Sequence, residues 1–241
     1  MHSRGLGWTL VWIVLNGMAA FSQQPAHASA EEAIVLIDTA GHCRAQGFAS
    51  RAEALYRLAM VKIEEVSGPG SVNLTPALNG LAELYFDQRR YTEAESLSLR
   101  SASLVESCLG PEHPLRATAL QNLAAIYHVQ GQYAKAAPLY LRALAIREQT
   151  LGPSHPFVAS TLVDLAELDR EQGDYRQAAG HYARALQIRE DAFGRDDPRV
   201  AETLANYASV LRKTCHKREA ALLQARSRAI LARAAFRDAG R

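Results

Sequence analysis

The chain is poor in the residues that punctuate or staple a fold. It has three cysteines in 241 residues, too few for a disulfide-framed miniprotein. Nine prolines and 15 glycines leave little material for a turn-rich β architecture and favour helix. Neither sign of charge dominates: 27 Lys and Arg face 25 Asp and Glu, so the chain is no polyelectrolyte. That balance, with no aromatics interleaved among the basic residues, is a poor footprint for nucleic acid. A mean hydropathy of −0.15 excludes a polytopic membrane protein. No G-x-S-x-G, H-E-x-x-H, C-x-x-C or G-x-x-x-x-G-K-S/T occurs. No catalytic residue, cofactor or metal is therefore expected, and the chain reads as a non-enzyme. What it has instead is 48% hydrophobic residues, enough for one soluble body or an array of small units.

Residues 1–30 have the three regions of a cleavable signal peptide. Arg4 gives a positive start, Leu6 to Phe21 an apolar stretch, and Ala26-His27-Ala28 or Ala28-Ser29-Ala30 a small-x-small cleavage site. Sixteen apolar positions fall short of the roughly 20 needed to span a bilayer. The expected mature chain starts near Ser29 or Glu31, is exported to the periplasm or beyond the cell, and keeps no integral membrane segment. Its charge is uneven. Residues 205–241 carry nine Lys or Arg against Glu219 and Asp238, a net of +7, which leaves residues 31–204 at about −6.

The rest is organised by a repeat of 42 residues. GPEHP, GPSHP and GRDDP begin at Gly110, Gly152 and Gly194, with a weaker relative at Gly68. Ala40, Ala82, Ala124, Ala166 and Ala208 share one column; Ala52, Ala94, Ala136, Ala178 and Ala220 share another. Within a unit, Leu120, Leu123, Ala124 and Tyr127 mark one helix face; Gly131-Gln132 interrupts it, and Tyr133, Ala136 and Tyr140 restart it. The expected architecture is all-α: about five antiparallel helix pairs in a right-handed superhelical solenoid over residues 31–241. The units lie near 30–71, 72–113, 114–155, 156–197 and 198–239. Gly110, Gly152 and Gly194 suit a left-handed position closing the second helix. Pro114, Pro156 and Pro198 suit the first turn of the next, and Asp197 is placed to cap it. His113 and His155 belong to linkers, and Pro138 falls near enough to its helix start to cost little. Cys43, Cys108 and Cys215 are too far apart along these helices to favour a bridge.

ALQNLAAIYHVQGQYAKAAPLYLRALAIREQTLGPSHP resembles a tetratricopeptide repeat of the 42-residue kind found in kinesin light chains and their bacterial relatives. The third and fourth units match closely, the second well, and the first and fifth drift. The resemblance implies a protein or peptide partner held in a concave groove lined by the first helix of each pair. It implies an Asn before the Leu-Ala of that helix, bonded to the partner backbone. Asn122 and Asn206 occupy that place, Asp164 takes it in the fourth unit, and Asn79 stands beside Gly80 in the second. Farther along the same helices Arg44, His128, Arg170 and Arg212 form a cationic row suited to acidic segments, with Glu83, Asp87, Glu167 and Glu171 nearby. The basic segment after Arg218 is either a polar cap or, in an alternative reading, the means by which the protein self-associates as a homo-oligomer or lies on the envelope surface.

Overall fold

The computed structural model describes residues 31–239, so the leader expected over residues 1–30 lies outside the described residues. Among these the chain is all helical, with no strand. The helices are α1 (31–45), α2 (Ala49–Ser67), α3 (Thr75–Asp87), α4 (Tyr91–Leu109), α5 (Pro114–Val129), α6 (Tyr133–Leu151), α7 (Pro156–Gln172), α8 (Tyr175–Phe193), α9 (Pro198–Leu211) and α10 (Lys217–Ala239). A 3₁₀ turn, Val72–Leu74, leads into α3. The chain divides into two compact units at Leu104 and Val105, inside α4. Each is described by itself.

The starts of the helices repeat one device. His113, His155 and Asp197 have extended backbones and accept a hydrogen bond from the N–H two residues on: Leu115 at 3.3 Å, Phe157 at 3.2 Å and Arg199 at 2.8 Å. Ser71, in the same column, accepts from Asn73 at 3.2 Å and opens the 3₁₀ turn. The two histidines are thus capping residues as well as linker residues, their Nδ1 doing what the Asp197 carboxylate does. Pro114, Pro156 and Pro198 follow as the first helical residues.

The helix ends differ from expectation in one respect. Gly152 and Gly194 have positive φ, 89° and 85°, but ψ of 154° and 153°, outside the left-handed helical region. They lie in a region open essentially to glycine alone. The chain therefore leaves the second helix extended, while the glycine N–H still donates to the carbonyl four residues back. The left-handed C-cap occurs instead at Gly173 (φ 84°, ψ 4°), in the tight turn between α7 and α8. Pro138 also departs from expectation: it is the sixth residue of α6, past the first turn, so it removes an intrahelical hydrogen bond.

In the second unit the alanine columns are fully buried and let neighbouring helices close together. Ala124, Ala136 and Tyr140 pack with Leu165 and Leu168 of α7; one repeat later Ala166, Ala178 and Tyr182 pack with Val210 of α9. Each tyrosine fills the space that two alanines leave, and each cluster is completed only by the following pair. In the first unit, Ala33, Ile63, Leu74 and Leu78 form a cluster whose counterpart in the second unit is that of Val158, Ala159 and Leu162.

Between successive second helices runs an arginine clamp. Arg184 reaches Glu148 at 2.6 Å and the Pro153 carbonyl at 3.2 Å; Arg226 reaches Glu190 and the Arg195 carbonyl. In the first unit Arg100 holds Glu64 at 2.7 Å and the Pro69 carbonyl at 3.3 Å. A guanidinium fork can satisfy a carboxylate and a linker carbonyl together. Arg226, counted from sequence among the charges of the basic tail, is a structural member of this series. None of the three cysteines forms a disulfide: Cys43 is buried, while Cys108 and Cys215 are exposed.

Candidate functional site

The residues expected to receive a partner in the second unit lie on α5, α7 and α9. Asn122, Asp164 and Asn206 are half-buried at one station of these helices, on the turn that also carries the core residues Leu123, Leu165 and Leu204. Asn122 keeps its Nδ2 without a hydrogen-bond partner in the chain. Asp164 accepts a hydrogen bond from the Gln121 side chain of α5. Burial raises its carboxyl from 3.8 to about 6, against the opposing pull of the Gln121 hydrogen bond and the Arg147 charge. Arg147 is itself buried. It donates to Thr161 Oγ1 at 2.5 Å and the Phe157 carbonyl at 3.2 Å, tying α6 to α7, and burial lowers its own pKa. Arg189 repeats the bond to Thr203 at 2.7 Å.

About a turn and a half farther on, the basic side chains are already engaged. His128 Nε2 lies 3.0 Å from Glu171 Oε2, which also accepts from the Tyr133 hydroxyl at 3.1 Å. Arg170 holds Glu167 at 2.7 Å and Glu171 at 3.5 Å, and the Tyr182 hydroxyl donates to Glu167. Arg212 donates to the Gln224 side chain at 3.2 Å. Along this ladder His128 and Arg170 are therefore matched by carboxylates of the chain, whereas Arg212 is bonded to a neutral amide. At the first two, an incoming carboxylate would have to compete with Glu167 and Glu171.

In the first unit the same ladder links Arg44 to Glu83 at 2.6 Å and to Asp87 at 3.1 Å. Asn79 is buried, with its Oδ1 unpartnered. Gly80 holds the column that Asn122 occupies in α5, and a Cβ there would meet the Tyr56 ring at 2.5 Å. The missing side chain is a packing requirement: the tyrosine stands where an asparagine would begin.

Sequence reasoning missed Gln121 as the partner of Asp164, although a signal exists. Arg44–Asp87, Gln121–Asp164 and His128–Glu171 are each 43 residues apart, one repeat plus one residue. Among the described residues no cluster of His, Cys, Asp and Glu could hold a metal ion, and no helix is long and apolar enough to cross a membrane.

The tetratricopeptide repeat model matches residues 73–149, 120–191 and 159–233. The chain belongs to the tetratricopeptide repeat family. Its fold is similar to the crystal structure of BtubC (BKLC) from P. vanneervenii, with 26% identity, TM-score 0.71, and coverage of 89% of this chain and 90% of that one. It is also similar to a Podosopora anserina kinesin-light-chain-like protein of nearly identical repeats, with 20% identity, TM-score 0.68, and coverage of 86% and 98%. A Rap protein complexed with Competence and Sporulation Factor shares the fold at 16% identity and TM-score 0.69, over 83% of this chain and 54% of that one. No curated protein matches the chain. A tetratricopeptide fold with such neighbours supports an interaction scaffold with protein partners.

Proposed function

We propose that the chain is an exported, non-enzymatic scaffold that holds a partner polypeptide in extended form against the first helices of its repeats. The observation that carries this reading is the station shared by Asn122, Asp164 and Asn206: three half-buried hydrogen-bonding side chains recurring at one place on successive first helices. An extended backbone offers donors and acceptors in alternation. Two amides, each able to donate and accept, suit it better than carboxylates, which only accept. The buried, unpartnered Nδ2 of Asn122 supports the same role, since it is a donor that no group of the chain satisfies. That a Rap protein of this fold is complexed with a factor is consistent with a partner-holding use.

The ladder beyond the amides sets the specificity. Because Arg170 and His128 are already matched by Glu167 and Glu171, a partner carrying Asp or Glu gains only by displacing one of them. Beside His128 and Arg170 a mixed-charge or neutral segment is favoured over a strongly acidic one, whereas Arg212, held by a neutral amide, suits a carboxylate. Export follows from the leader pattern over residues 1–30, with the periplasm as the destination and the extracellular space as the alternative.

The test is affinity capture from the soluble envelope fraction, with residues 31–241 as bait and the Asn122→Ala/Asn206→Ala version as control. A partner retained by the first should be lost by the second, at a cost of roughly 1–3 kcal/mol for each unsatisfied group left behind. Identical catches from both baits reject the site. Export has its own reading: a chain recovered from the periplasm should begin near Ser29 or Glu31, and an intact residue 1 would contradict it.

A further inference from the structure

The first and last helices of the described chain, α1 and α10, carry in their repeat columns the faces by which inner helices stack. In α8, Tyr175, Ala179, Tyr182 and Leu186 pack on the side that meets α9. Forty-two residues later the same positions of α10 hold Lys217, Ala221, Gln224 and Arg228. These line an open cavity of about 490 Å³ together with Arg212 and Ala225. Leu231 takes the column of Arg189 and is 50% exposed. This face keeps small residues where close approach is needed and carries cations around them.

The complementary surface is on α1. In α9, Val200 and Leu204 meet Leu186, and Thr203 accepts from Arg189. Four repeats earlier these columns hold Glu32, Leu36 and Val35. Val35 and its neighbour Ile34 are 63% and 67% exposed, unusual for two adjacent branched apolar residues. Glu31, Glu32 and Asp38 make the helix acidic. Lys62 meets Glu32 at 2.8 Å and His42 meets Asp38 at 3.5 Å, which leaves the excess negative.

We propose that α10 of one copy stacks on α1 of a second copy as α8 stacks on α9, joining chains head to tail. The repeat columns then bring Arg228 to Glu32, whose carboxylate it would share with Lys62, and Leu231 to Ile34 and Val35. Charge and apolar surface are thus both complementary. Such a contact uses different patches on the two molecules and is therefore heterologous. It is made by α1 and α10, whereas Asn122, Asp164 and Asn206 lie on α5, α7 and α9; Arg212 alone borders both surfaces, so either proposal can fail without the other.

Sedimentation of the purified chain at low salt should show a weight-average mass that rises with concentration to about twice that of one chain or beyond. It should fall back as salt screens the faces. K217E/R228E and E31K/E32K, all at exposed positions, should each stay single with unchanged helicity. An equimolar mixture of the two should recover assembly, because each reversed face then finds its complement. A wild-type chain that stays single, swapped variants that assemble as it does, or a mixture that fails to recover would each overturn the proposal. So would a single chain that binds phosphatidylglycerol vesicles and loses them on K217E/R228E, which would assign the face to a lipid surface.

Discussion

At Gly80 two ordinary effects oppose each other, and geometry decides between them. Replacing a glycine inside a helix by alanine normally stabilises by about 0.5–1 kcal/mol. Here the added Cβ would fall 2.5 Å from ring carbons of Tyr56, itself buried. Overpacking of this kind costs roughly 1–3 kcal/mol, so Gly80→Ala should destabilise on balance. Denaturant unfolding checks the sign, and the same change made in Tyr56→Ala should revert to stabilising. A stabilising Gly80→Ala in the intact chain would mean that the ring moves freely. Asp164 is the second residue whose environment sets a sign. Its carboxyl titrates near 6 when folded, above the ordinary 3.8, chiefly because it is buried. The raised value means that the protonated carboxyl's contribution is complete below about pH 4 and is lost as pH rises through about 6. Asp164→Asn, which can still accept from Gln121, should therefore be more stable than the parent above about pH 7, by something on the order of 2 kcal/mol. The two curves should converge in acid. A variant less stable at neutral pH would show that the charge opposite Arg147 outweighs the cost of burying it.

The elements themselves are held by caps and clamps, and these differ in how plainly the sequence displays them. Glycine after the second helix, proline at the next start and alanine columns at 42 residues are local or strictly periodic signals. They located the hairpins and their turns. The clamp of Arg184 on Glu148 spans 36 residues, and the Gln121–Asp164 bond spans 43, neither of which is the repeat length. Such pairings arise because the helices that meet are offset from the repeat register, and that offset depends on how they pack and not on any single segment. Histidine caps were hidden for another reason: imidazole is a less usual N-cap than Asp or Ser, and only the shared column with Ser71 and Asp197 points to it. If His155 Nδ1 contributes as a cap, His155→Ala should cost about 0.5–2 kcal/mol. His155→Asp should restore most of it, as the carboxylate at position 197 already does in α9. Thermal unfolding of the pair decides, and equal losses for Ala and Asp would make the histidine a linker residue only.

For the molecule as a whole, packing runs between neighbours along the sequence. α5 packs with α6, α6 with α7, α7 with α8 and α8 with α9, with α5 also reaching α7. Stability in such a chain approximates a sum of units and nearest-neighbour interfaces, so damage should stay near where it is made. The site residues follow the same logic. Asp164, His128 and Arg170 could be named from the sequence because the repeat places them, whereas their degree of engagement could not, because Gln121 reaches Asp164, Glu171 reaches His128 and Glu167 reaches Arg170 through packing. Hydrogen exchange read helix by helix makes the distinction measurable. Gly80→Ala should speed exchange in α2 and α3 and leave α7 and α8 at the parent rate. Asp164→Asn, above about pH 7, should slow exchange in α5 to α8 and leave α2 and α3 unchanged. If either substitution shifts protection evenly from α2 to α10, the chain opens as one cooperative body. The nearest-neighbour account would then give way to a single global transition, in which a clash at Gly80 is felt at Asn206 as strongly as at Tyr56.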